Sequence, residues 1–141
     1  MLGAIVGDIV GSRFEFNNHR DKDFELFANG CFATDDSVMT LAVAKALMET
    51  EKNVDTSIND YRLDGNYHRL LGEVAVRYMR EIGRKYPDCG YGGMFARWIF
   101  SDDPKPYRSF GNGAAMRIGP AGFIARTETE AVKLSETITS I

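Results

Sequence analysis

The sequence predicts an all-α protein: one compact multi-helix domain over residues 1–141. Three observations point there. Apolar residues recur near every 3.6 positions between Tyr67 and Arg84, strand-like alternation is weak throughout, and glycine, proline and capping residues stand where helices would begin and end.

Taken in order, Gly3, Gly7 and Gly11 recur every fourth residue among apolar neighbours. They lay a smooth strip along one helical face that another element can approach closely. Each glycine weakens a helix by about 1 kcal/mol, so this one has to be held by packing. Phe14 to Cys31 mixes charges and asparagines with no sustained period and reads as a loop. Ser37 to Met48 is almost wholly apolar or small, which predicts a helix in the middle of the domain. Polarity rises from Val54 to Gly65, a connection. Leu70, Leu71, Val74, Ala75, Tyr78, Met79 and Ile82 then define the apolar face of a helix from about Tyr67 to Arg84.

Pro87 and Gly90 to Gly93 end that helix, a short one follows at Met94 to Phe100, and Asp102 to Pro106 is a turn. After Gly113 comes a helix of small residues that Gly119 and Pro120 terminate. Thr127 and Glu130, at capping-box spacing, open the last helix. No stop signal precedes Ile141, so this helix is expected to run to the last residue and the domain to be incomplete at its C-terminal end.

A net charge of -3 argues against nucleic acid as the main partner. No apolar run reaches the ~20 residues of a membrane span, and Met1 to Val10 is short, broken by Asp8 and without a basic flank, so it reads as folded protein. Cys31 and Cys89 read as reduced thiols of a cytoplasmic protein. His19 and His68 are too few for a zinc site of histidine and cysteine, which turns attention to hard, oxygen-bound cations.

Thr34, Asp35 and Asp36 stand at the mouth of the apolar helix. They suit an N-cap and an acidic first turn, and equally the oxygen donor set of Mg²⁺ or Mn²⁺. The positive end of a helix repels cations, so further carboxylates are needed. Asp8 and Glu15, seven residues apart, share a face if the first helix reaches that far; otherwise Asp8 caps a neighbouring element. Gly90-Tyr91-Gly92-Gly93 and Ser109-Phe110-Gly111-Asn112-Gly113 each lead into a helix, where backbone N–H groups can meet an anion or simply punctuate the chain. Arg117 suits a phosphate or an acidic partner, and Tyr91, Trp98 and Phe110 suit the core or a stacked base.

In their order along the chain, Gly-Ala-Ile-Val-Gly-Asp (3–8), Glu15, Thr-Asp-Asp-Ser (34–37), Gly-Tyr-Gly-Gly (90–93) and Ser-Phe-Gly-Asn-Gly-Ala-Ala-Met-Arg (109–117) resemble the ADP-ribosylglycohydrolase family. That family includes dinitrogenase reductase-activating glycohydrolases and ADP-ribosylarginine hydrolases. The resemblance implies an all-α fold with two Mg²⁺ or Mn²⁺ ions in a central cleft. Thr34, Asp35 and Asp36 would be metal ligands, and Glu15 and Asp36 the catalytic acids. Gly92, Gly93, Ser109, Phe110, Gly111, Asn112 and Gly113 would hold the ADP-ribose. It further implies hydrolysis of the bond between ribose C1 and a modified side chain, arginine being the commonest, on a protein or a small metabolite.

Only the family's N-terminal part is matched. Its Asp-x-Asp-Thr segment and its histidine- and asparagine-rich loop have no counterpart here. One side of a two-sided metal site predicts weak metal binding and little hydrolysis. It also predicts exposed apolar faces and association into a homodimer or larger assembly. A module that binds ADP-ribose without cleaving it, and a helical interaction domain, are the alternatives.

Overall fold

The structure, a computed structural model describing residues 1–141, is entirely helical. Helix α1 (Leu2–Gly11) runs into a 3₁₀ turn (Ser12–Phe14), and α2 (Asp35–Glu51) follows a long loop. A second 3₁₀ turn (Tyr61–Leu63) precedes α3 (Gly65–Lys85). Then come α4 (Gly93–Phe100), α5 (Gly113–Met116), α6 (Gly119–Ile124) and α7 (Glu128–Thr139).

The core lies where α2 and α3 face one another. Met39, Val43 and Leu47 meet Leu71 and Met79, and Leu134 and Ile138 of α7 with Trp98 and Ile99 of α4 complete it. Most of these side chains are wholly buried, each worth roughly 1.5–3 kcal/mol of transfer free energy. Gly83 lets α4 lie close on α3: a Cβ there would sit 2.8 Å from Ile99 Cδ1.

The far end of the bundle is tied by a polar cluster. Arg62 Nε and Nη2 donate to Glu51 Oε1 and Oε2 at 3.0 and 3.1 Å, and the Tyr61 and Tyr67 hydroxyls donate to the same carboxylate. Arg62 Nη1 reaches Glu130 of α7 at 3.5 Å. Thr127 Oγ1 accepts the Glu130 N–H at 3.1 Å, as the capping pattern predicts. The Glu130 carboxylate, however, binds the backbone N–H and guanidinium of Arg126.

Four expectations need correction. Helix α2 is not buried all round, because no element covers Leu41 and Met48, which are 47% and 59% exposed. The glycine strip of α1 is not a packing seam within this chain, since a Cβ at Gly3, Gly7 or Gly11 would meet nothing within 4 Å. Gly119 and Pro120 open α6 rather than merely ending its predecessor, for proline in a first turn loses no intrahelical bond. Helix α7 ends at Thr139, two residues short of the C-terminus.

Candidate functional site

The site is built around the start of α2. Thr34 is its N-cap, extended at φ -92°, and its Oγ1 accepts the Asp36 N–H at 3.3 Å. Asp8, reaching across from α1, accepts the backbone N–H groups of Thr34 (2.9 Å) and Ser37 (3.2 Å) through Oδ2 and the Thr34 hydroxyl through Oδ1. Asp8 therefore caps a neighbouring helix. Thr34 is buried and does not face the cleft described next.

The Asp35 N–H donates to the Cys89 carbonyl at 2.8 Å, which fastens the 89–92 loop to the mouth of α2. Gly90 makes this possible. Its φ of +101° lies in the left-handed region, and an added Cβ would stand 3.5 Å from Asp35 Oδ1.

A cleft of about 630 Å³ opens here. Glu15, Asp35 and Asp36 line it together with Gly90, Gly92 and Gly93 of one loop and Ser109, Gly111, Asn112 and Gly113 of the other. Each of these positions except Gly90 is one that the sequence singles out as a site residue. Helix α1 ends before Glu15, so the acid is delivered by the 3₁₀ turn instead. Ser109 Oγ accepts the Gly111 N–H at 3.0 Å, shaping the second loop. Phe110, on the same loop, projects fully into solvent and is not part of the cleft wall. Tyr91 and Trp98 pack against Phe95, and Trp98 belongs to the core.

Electrostatically the acids are crowded. Burial, then the charges of Asp36, Glu15 and Asp8, push the Asp35 carboxyl up to about 6. Burial, then the charge of Asp8, also raise Asp36. Uncompensated, desolvated carboxylates of this kind suit a hard cation. The donor set is short, however: no three His, Cys, Asp or Glu side chains stand close enough together to hold a metal ion. Asp35 and Asp36 thus fit a divalent cation in chemistry but not in number.

Several lining residues carry no signal in the sequence pattern, among them Met94, Tyr107 and Thr139. Arg117 also lines the cleft, 5% exposed, at the end of α5. A shallower hollow of about 360 Å³ beside Arg97, Trp98 and Pro104 shares Met94 and Tyr107 with the main cleft. Its one acid, Asp103, is spent on Lys105 at 2.8 Å.

The acids Glu15, Asp35 and Asp36 and the glycine-rich segments at 90–93 and 109–113 thus meet at one cleft of an all-helical protein. The chain belongs to the ADP-ribosylglycohydrolase family, whose model matches residues 1–141. It is 26% identical over 143 residues to the protein named ADP-ribosylhydrolase ARH3 of Xenopus tropicalis, a match covering 84% of this chain and 36% of that protein. The chain thus spans little more than a third of that relative's length. No solved structure gives a significant match. No helix is long and apolar enough to cross a membrane.

Proposed function

We propose that the cleft is the ADP-ribose site of a metal-dependent hydrolase that releases ADP-ribose from a modified side chain, arginine foremost, or from an ADP-ribose-containing small molecule. One observation supports this most: residues from four separate sequence segments, Glu15, Asp35–Asp36 and the two glycine loops, line a single cleft of a size that suits a small ligand.

In this reading Asp35 and Asp36 supply oxygen donors toward Mg²⁺ or Mn²⁺, two ions in a complete site. Thr34 contributes indirectly, because its hydroxyl is engaged by Asp8. A bound divalent cation offsets the repulsion between carboxylates and lowers the pKa of a water it holds. Gly92 and Gly93 leave the cleft wall open, since a Cβ at either would meet nothing within 4 Å. The Ser109–Gly113 loop, with Asn112, cradles the ligand through backbone N–H groups. Glu15 stands to support positive charge developing on the ribose as the bond to its C1 breaks. With the donor set short, cation binding is weak and hydrolysis slow in this chain.

Calorimetry with Mn²⁺ tests the metal: binding is expected, and Asp36→Ala abolishes it. Release of ADP-ribose from ADP-ribosylated arginine tests the reaction, with Glu15→Gln lowering the rate by about two orders of magnitude. ADP-ribose binding that survives Asp36→Ala, with no release at any Mn²⁺ concentration, would instead make this a binding module.

A further inference from the structure

Arg117 is a charged side chain with too little to do. It is 95% buried by its 5% exposure, yet no carboxylate pairs with it; Nη2 donates to the Ile138 carbonyl at 3.1 Å, and buried Nε has no partner at all. Its remaining neighbours are aromatic: the guanidinium carbon stands 5.6 Å from the centre of the Phe95 ring, and Tyr107 lies near. The other arginine buried to a similar degree, Arg62, is fully paired through Glu51 and Glu130. A buried guanidinium left without an anion carries a desolvation cost that protein structures normally offset with one.

The position of this charge tells where an anion would come from. Arg117 lines the cleft, and the preceding Met116 carbonyl accepts from Thr40, one helical turn beyond Asp36 on α2. Arg117 is nevertheless not spent on the acids: its side-chain hydrogen bond goes to the Ile138 carbonyl, and it forms no ion pair with Asp35 or Asp36. The lining of one cleft therefore holds both acids and a cation that do not pair with each other.

We propose that Arg117 is the anion anchor of this cleft, a positioning residue whose guanidinium takes the diphosphate of the bound nucleotide while the acids face the ribose that reacts. The inference rests on the cleft being an ADP-ribose site. A bound diphosphate would supply the missing countercharge, and the fork of a guanidinium suits phosphate oxygens.

The test is calorimetric titration of the chain with ADP-ribose and with inorganic pyrophosphate, without added metal, for the unsubstituted chain, Arg117→Met and Arg117→Lys. Arg117→Met is expected to weaken both ligands at least tenfold, Arg117→Lys to restore part of the loss, and both affinities to fall as salt is raised. Pyrophosphate binding that depends on Arg117, with no binding of ADP-ribose, would uphold the anchor and overturn the ADP-ribose site. ADP-ribose binding unchanged in folded Arg117→Met would overturn the anchor and leave that site standing. Because Arg117 also holds the end of α7, the methionine variant can fail to fold. The arginine side-chain Nε–H resonances of the unsubstituted chain then decide, with Arg117→Lys identifying the signal. Saturating pyrophosphate should shift it, and an unmoved signal sinks the proposal.

Discussion

Asp8 and Thr34, 26 residues apart in the chain, are bound to each other twice: Asp8 Oδ2 accepts the Thr34 backbone N–H at 2.9 Å, and Oδ1 accepts the Thr34 hydroxyl. The carboxylate of α1 thus sets the entry of α2, and through it the placing of Asp35 and Asp36. Hydrogen bonds to a charged group contribute about 1.5–3 kcal/mol. Asp8→Ala is expected to lower the unfolding free energy by about 2 kcal/mol in urea titration. An unchanged urea midpoint would mean that this carboxylate does not set the entry of α2.

Glu51 ties the opposite end of the bundle. Burial alone would raise its carboxyl, but hydrogen bonds from Arg62, Tyr61 and Tyr67 outweigh that and hold it below the ordinary value of 4.5. A folded-state value below the unfolded one contributes stability that is present above pH 4.5 and is lost as pH falls through the folded value. Glu51→Ala should therefore cost about 3 kcal/mol near pH 7, where it leaves Arg62 short of a partner, and less once the solution is acidified through the folded value, which lies below 4.5. A cost that does not change with pH would refute the charge-based account.

Glycines in one loop should behave in opposite ways. Gly90→Ala forces a side chain into left-handed backbone against Asp35 and should destabilise the chain by about 1–2 kcal/mol. Gly92→Ala has φ -58° and open space, so stability should change by less than about 0.5 kcal/mol, while ADP-ribose affinity falls as the methyl enters the cleft. Thermal unfolding and ligand titration of the two variants separate strain from occupancy.

Leu2 and Val6 on α1 and Leu41 and Met48 on α2 present large apolar side chains to solvent. Association of copies through such surfaces is expected to give a light-scattering mass of twice 15.7 kDa or more, reduced by Val6→Lys or Met48→Lys. A monomeric mass without binding of a hydrophobic dye would refute association.

The helices were legible wherever period and punctuation agree. The α3 face from Leu70 to Ile82 follows directly from spacing, and Thr127 opens α7 as its capping pattern requires. The acids at 35–36 and the glycine loops each carried a capping or punctuating reading beside a functional one, and only the resemblance grouped them before the fold brought them to one cleft. What spacing could not show was long-range geometry. Asp8 differs from a catalytic acid only by the partners that folding brings to it. Burial of α2 was overread, because an apolar sequence records what a face can cover and not what covers it. Gly119-Pro120 was misread because the same pair that stops one helix can start the next. Arg117 gave no sign that folding would leave it without a carboxylate.

The joint between Asp35 and residue 89 is made by main-chain atoms alone, an amide proton on one side and a carbonyl oxygen on the other. The cysteine side chain takes no part in that bond, so a substitution at position 89 that fits its buried pocket is expected to keep the spacing of the acidic helix and the glycine loop. A shift in chain length between α3 and α4, or a side chain forced onto the left-handed backbone at position 90, would strain this joint. Insertions and deletions in this segment are therefore expected to disturb the corner more than point changes at the cysteine do.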